Sequence, residues 1–298
     1  MDSSLEETQQ KIPQWMPSVT WSEPPRIPVS AYKQILKDVR STGTFAPRGT
    51  DAEIKRHANA LSSSQLTEEQ IKEVAAHLRG QAITFEAIRT HEFVAKAAAS
   101  QKIQDVYDNR GIVAAARAAR VPPLSLFKQL LALRGVAPKF INGIISGKNL
   151  ASDYLSDRDA DQLREACASD KSCRDHQLRT AERAADSENE LVKFFTERGV
   201  LLKTQEELIA EGYTTATPDI LFETPIVLNG HIVEWLDNKN YTFVPNGPLI
   251  RSTKKQAERN MREWGPGGFC YRGICGNTTA VSGAYLFDTL ELFSLPHS

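Results

Sequence analysis

The stretch from Thr217 to Tyr241, TPDILFETPIVLNGHIVEWLDNKNY, is apolar and β-prone, yet it carries an aspartate near each end. Residues two apart on a strand share a face, so Asp237 and Lys239 point one way while Leu236 and Asn238 point the other. A carboxylate beside an ammonium is by itself a plain ion pair. Asp219 changes that reading, because it follows Pro218 at the start of the preceding strand. An antiparallel hairpin brings that start close to the end of its second strand. Two carboxylates and a lysine converging on one spot suit divalent-metal chemistry on phosphate esters. Hard oxygen ligands hold Mg²⁺ or Mn²⁺ and leave room for a phosphate oxygen, and a lysine offsets developing negative charge.

The register decides whether they converge. Asn229-Gly230 accepts the positive φ of a type I′ turn, and an ideal two-residue loop there pairs Leu228 with His231. Asp219 would then lie opposite Asn240, on the wrong face from Asp237, so an odd shift is required. Pro225, which cannot donate to the ladder, marks the place where a bulge or longer loop would supply it.

A third carboxylate is available in SENELVKFF, at Glu188 or Glu190. Two residues apart on a helix, they cannot share one face. Glu188 lies three before Leu191 in the apolar stripe with Phe194 and Phe195 and is the favoured one, although either glutamate alone also reads as a solvated helix residue. After the hairpin, RSTKKQAERNMREW forms a cationic helix with Ser252 as its expected N-cap. Lys254, Lys255 and Arg259 on it are candidates for contacts to nucleic-acid phosphates, and Gln256 and Asn260 lie four apart on one face.

The elements that must position these residues fall into two regions. From about Ala31 to Cys173 apolar residues recur at three- and four-residue spacing, which predicts an all-α region. After a long helix ending at Gly199 the period changes to two, with strands expected at VLLK, PDILFE, HIVEWLDNK, GFCYRGIC and GAYLF and the cationic helix between the third and fourth. The expected division is a flexible, proline-rich tail over 1–28, a helical region over 29–173 and an α/β domain over 174–298. Within the helical region, Asn109 to Leu150 holds seven Lys or Arg and no Asp or Glu in a chain whose net charge is -1. Its IVAAARAARVPPLSLFKQLLAL reads as two helices around a tight turn at Val121-Pro122-Pro123, the shape of a helix-turn-helix with Arg117, Arg120 and Lys128 as DNA contacts. The competing reading is a helical bundle with a basic solvated face.

The start of the chain shows no apolar signal core and no stretch approaches 18 apolar residues, so neither classical secretion nor a membrane span is expected. Cys167, Cys173, Cys270 and Cys275 are too scattered for a disulfide framework and point to a reducing compartment, nucleus and cytoplasm. Buried free thiols are the default, since the Cys167–Cys173 spacing with His176 fits zinc poorly and only Cys270–Cys275 is permissible.

Pro218-Asp219, followed by Asp237-Asn238-Lys239, resembles the PD-(D/E)xK signature of restriction-endonuclease-like nucleases, and the order αβββαβ from about Asp175 to Cys275 is that of their core. More specifically, TPD, GHIVEWLDNK and WGPG resemble the codanin-interacting nuclease family, with its helical, helix-turn-helix-like N-terminal region and a nuclease domain similar to archaeal Holliday-junction resolvases. The resemblance implies a metal-dependent nuclease acting on DNA, branched or junction DNA included, with Asp219 and Asp237 as metal ligands and Lys239 as the catalytic lysine. It also implies Glu188 as the helix carboxylate, Gln256 facing the site from the second helix, a codanin-like protein partner, and an oligomeric state left open, a homodimer included. Relatives often carry glutamate where this chain has Asp237. The alternative function is a catalytically weak nuclease-fold scaffold that binds protein partners or DNA.

Overall fold

The computed structural model describes residues 13, 15–42, 56–62, 64–89, 91–145, 154–169 and 174–292. The sequence expected as a tail enters the fold within a few residues. Strand β1 (Ser18–Val19) pairs in parallel with a later strand, and Trp21 meets Phe194, Phe195 and Phe287 edge-on. Ile27 is buried and bridges to Cys275. The tail expectation is thus corrected for residues 15–28. Their prolines restrict φ without forbidding an extended edge, and the apolar surface of Trp21 and Ile27 drives them onto the sheet. Residues 1–12 lie outside the described ones.

Helices α1 (Val29–Thr42) and α2 (Glu68–Arg89) follow. Their apolar faces, with Tyr32, Ile35, Val74 and Leu78, share a core with Ile27, Val244, Cys275 and Leu290. Packing therefore crosses the boundary expected at residue 173. The next helices, α3 (His91–Ala99), α4 (Gln101–Ala119), α5 (Pro123–Leu133), α6 (Pro138–Ile145) and α7 (Asp157–Ser169), enclose a core of their own around Tyr107, Ile112, Phe127 and Leu130. Helix α4 breaks at Gly111, whose φ of 83° and ψ of 177° are not helical. An added Cβ there would also collide with the Gln162 side chain.

The long helix α8 (Arg174–Thr196) leads into the sheet through β2 (Leu202–Thr204) and α9 (Gln205–Ala210). That short helix, unforeseen in the sequence, is set by a reciprocal Thr204/Glu207 capping box. Then come β3 (Ile220–Leu228), β4 (His231–Lys239), α10 (Ile250–Trp264), β5 (Gly267–Tyr271), β6 (Ala280–Val281) and β7 (Ala284–Asp288). The fold is α+β, with a mixed seven-stranded sheet ordered β1-β3-β4-β5-β7-β6 and β2 also on β3. β3 and β4 are antiparallel, while β4, β5 and β7 run parallel. One face buries Leu191, Phe195, Leu236 and Phe287 beneath α8; the other buries Trp235, Phe269 and Tyr271 with Ala257 of α10. Gly267 lies so close to the Trp235 indole that no side chain fits between them.

Candidate active site

The hairpin has the turn its sequence requires. Asn229 and Gly230 take φ of 48° and 85°, and Leu228 pairs with His231. Farther along, the ladder slips. Between the pairs Leu221↔Trp235 and Ile226↔Val233, β3 advances five residues and β4 two, a shift of three that spans Pro225. The shift is odd, and it brings Ile220 opposite Leu236. Asp219, one residue before Ile220, therefore stands level with Asp237 on the same face. Its Oδ2 accepts the Asn238 backbone N–H at 2.6 Å.

Asp237 is 1 % exposed. Its Oδ1 accepts from Lys239 Nζ and its Oδ2 from Gln256 Nε2 of α10. On the opposite sheet face the Asn238 side chain donates to the buried Ser187 Oγ of α8 at 2.9 Å, which pins the strand end to the helix that carries Glu188. Burial raises the Asp237 carboxyl above the usual range, while Lys239, Arg259 and Gln256 pull it back. Asp219 is pushed up to about 8, first by burial and then by the charges of Asp237 and Glu188. Glu188 is raised by burial and by Asp237. Burial works to lower Lys239, but its pKa is raised on balance because Asp237 and Asp219 stabilise the ammonium. The ensemble is a set of carboxyl groups held out of water, whose charged forms burial and mutual repulsion disfavour and one lysine partly offsets.

Thus Asp219, Asp237, Lys239 and Gln256 come together, and Glu188 faces them at electrostatic range. Glu190 leaves Oε2 buried without a hydrogen-bond partner. The three carboxylates do not close into a ligand set: among the described residues no group of three or more His, Cys, Asp or Glu is arranged to hold a metal ion. In donor chemistry the residues fit a hard divalent cation, which buried, mutually repelling carboxylate oxygens favour.

Among the cations of α10, Lys254, Lys255 and Arg259 are exposed, and Arg259 acts on Asp237. Ser252 does not cap the helix: Leu249 holds the N-cap position, and Ser252 Oγ donates to its carbonyl at 2.7 Å. Asn260, four residues after Gln256, is fully buried. A group missed in the sequence is Tyr241, whose ring meets Tyr271 edge-on and whose pKa burial raises while Lys239 draws it down. Its position two residues after Lys239 was the available signal.

In the helical half, Arg117 and Arg120 are exposed and Lys128 is half-buried. Arg134 is engaged by Asp159 and Asp108 and stacks on Tyr107. α5, the second helix of the expected helix-turn-helix, buries Leu124, Leu126, Phe127, Leu130 and Leu131 and is central to its bundle. Lys148, Cys173 and the side chain of His176 lie outside the described residues. Cys270 and Cys275 are buried free thiols. No helix of the described residues is long and apolar enough to cross a membrane.

Comparison with known proteins bears mainly on the sheet half of the chain. A family described as "Protein of unknown function TPD sequence-motif" matches residues 155–277, a stretch that contains Thr217-Pro218-Asp219. An uncharacterized protein of Acanthamoeba polyphaga mimivirus is 33% identical over 122 residues, 40% of this chain and 44% of the viral protein. The chain therefore spans less than half the length of the curated relative it matches. No solved structure matches.

Proposed function

We propose that the protein is a metal-dependent nuclease that hydrolyses DNA phosphodiester bonds on a restriction-endonuclease-like domain, with Asp219, Asp237 and Glu188 as the carboxylates that would hold Mg²⁺ or Mn²⁺. The observation that carries this reading is the three-residue slip between β3 and β4. Beyond the Asn238 backbone N–H that Asp219 accepts, burying it beside Asp237 costs the hairpin stability, because two like charges in a desolvated site repel. A site for a cation and a phosphate does need them there. When bound, a divalent ion supplies Lewis-acid polarisation of the scissile phosphate. Lys239, held by Asp237, presents its ammonium to the charge that develops on the phosphoryl oxygens. Gln256 fixes the second Asp237 oxygen and so the direction of the carboxylate. Arg259, Lys254 and Lys255 provide phosphate contacts beside the site, which orient a strand without reading its sequence. Arg117, Arg120 and Lys128 are proposed to add further contacts from the helical region, and a codanin-like protein is the proposed partner in the nucleus and cytoplasm.

A second reading, a nuclease-fold scaffold with little activity, is favoured by one observation: both Asp237 oxygens are already engaged by Lys239 and Gln256. Cleavage of branched, single-stranded and duplex DNA with Mg²⁺ or Mn²⁺ separates the two. The nuclease reading expects metal-dependent cutting that Asp237→Ala and Lys239→Ala each slow on the order of a hundredfold or more. Absence of cutting by the wild type on all three substrates, or variants that cut equally well, leaves the scaffold.

A further inference from the structure

Away from the hairpin, a cavity of about 500 Å³ opens between α1 and α2 on one side and α3 and α4 on the other. It lies within the range of roughly 300–1,000 Å³ common to small-molecule sites. Its walls carry four cations, Arg40, Arg89, Lys96 and Arg120, against one carboxylate, Glu86. Glu86 is 2 % exposed and works as a brace: Arg40 Nε reaches its Oε1 at 2.6 Å, and Arg89 holds its Oε2 through Nε and Nη2 at 2.9 and 2.7 Å. Each guanidinium has further N–H groups beyond those that Glu86 accepts. Lys96 and Arg120 are exposed and make no ion pair among the described residues.

The break at Gly111 shapes the cavity. Ser100, before α4, and Arg120, after it, both line it. A straight helix of α4's length would hold them about 28 Å apart. Ser100, which lines the cavity at the start of α4, does not use its side chain as a cap, and the first turn of α4 has no acidic residue. Arg120 itself sits at a left-handed φ of 56°, which turns the chain abruptly at the cavity wall. Apolar surface is present as well: Phe93 lines the cavity yet is 54 % exposed, beside Val39 and Ile103.

We propose that this cavity is a nucleotide site, taking one phosphate among Arg40, Arg89, Lys96 and Arg120 and stacking the attached base on Phe93. Guanidinium forks preset by a buried carboxylate suit a phosphate dianion. An exposed aromatic ring at the same wall suits a base, since every base offers a π-face. The ligand is either a free nucleoside monophosphate or the phosphorylated end of a strand. The site is independent of Asp219 and Asp237, so it stands or falls separately from the nuclease reading.

The test is calorimetric titration of the full chain in EDTA, which suppresses metal-dependent cleavage. The probes are adenosine 5′-monophosphate, adenosine, inorganic phosphate, and a short single-stranded oligonucleotide with and without a 5′-phosphate. Lys96→Glu and Phe93→Ala are the variants, since both side chains are exposed and neither braces Glu86. The monophosphate should bind, with adenosine and phosphate alone each weaker by tenfold or more. Lys96→Glu should weaken it at least tenfold and Phe93→Ala on the order of tenfold, with melting temperatures unchanged. Tighter binding of the phosphorylated oligonucleotide than of the mononucleotide identifies a strand end; the reverse identifies a free nucleotide. Absence of binding by both, phosphate binding as tightly as nucleotide, or affinities untouched by both variants would overturn the proposal.

Discussion

The bundle formed by α3 to α7 and the sheet half of the molecule handle charge in opposite ways. In the bundle the buried side chains are almost all apolar, and the charged ones lie outside and pair with neighbours, as Arg134 and Arg158 do with Asp108. In the sheet half, Asp237, Asn238, Arg272 and Asp288 are all buried, and Arg272 is held by Glu73 of α2 in an ion pair across the fold. Burying charge destabilises unless partners are supplied. A region that does so repeatedly is organised around something other than stability. The bundle shows that this chain can build a core without buried charge; the proposed function accounts for the departure from that at Asp219 and Asp237.

The sharpest way to break the contrast is to alter the slip itself. Deleting Thr224 alone makes the shift even and sends Asp219 to the opposite sheet face, whereas deleting Thr224 and Pro225 together keeps it odd. The single deletion should abolish Mg²⁺-dependent cleavage and any Mg²⁺-dependent rise in melting temperature. The double deletion should retain part of both. Equal loss in the two variants would mean that parity is not what matters. Next in size is Lys239→Ala, which leaves Asp219, Asp237 and Glu188 facing one another with their main counter-charge removed. Without metal it should cost about 3 kcal/mol in a denaturant titration. Asp237→Ala should cost less, since Lys239 retains Asp219. Mg²⁺ should restore more stability to Lys239→Ala than it adds to the wild type, and failure to do so would argue for a structural ion pair.

The same contrast explains what could be read from the sequence. Helices α3 to α7 follow from apolar residues three and four apart, a local signal, and so do β3 and β4 from their period of two. The type I′ turn was legible in Asn229-Gly230, and the need for an odd shift followed from the positions of Asp219 and Asp237. Its size was not legible, because it is set by the long-range pairing of β3 with β1 and β2 on either side of the irregularity. Residues 15–28 read as a tail because their anchors, Trp21 and Ile27, are too few to make a pattern; their partners, Phe287 and Cys275, lie some 250 residues away. Ser187 was hidden for a similar reason, since its partner Asn238 lies 51 residues on. That α5 is buried so fully in the bundle was not legible, because periodicity reports one buried face and is silent on how many neighbours share it.

A third test concerns buried charge away from the hairpin. Asp288 Oδ1 accepts from the N–H groups of Gly273 and Leu290, while its Oδ2 is buried with no hydrogen-bond partner. Burial pushes its pKa up to about 6 from an ordinary value of 3.8. A raised carboxyl binds its proton more tightly in the folded state, so the stability it contributes is present below about pH 4 and is lost as pH rises through about 6. Asp288→Asn keeps the Oδ1 acceptor and removes the titration. At pH 7.5 the variant should be more stable than wild type by on the order of 2 kcal/mol, with the difference vanishing near pH 4. A difference independent of pH would assign the effect to packing.

The smallest effect belongs to the exposed cations of the helical half. Replacing Arg117, Arg120 and Lys128 together by alanine removes three charges that hold no core in place, two exposed and one half-buried. Such charges act on nucleic acid through counterion release, so the change should appear as a lower slope of log affinity against log salt, by roughly one unit per lost phosphate contact. At physiological salt, affinity for duplex DNA should fall on the order of tenfold. The rate of cleavage at saturating DNA should hold, because Asp219, Asp237 and Lys239 are untouched. A drop in that rate would couple the two halves of the molecule in catalysis. An unchanged slope would return the basic stretch to the surface of a bundle and leave DNA contact to Lys254, Lys255 and Arg259 of α10. Fluorescence anisotropy across a salt series, on wild type and triple variant, measures the slope directly, and the same DNA in a single-turnover assay measures the rate.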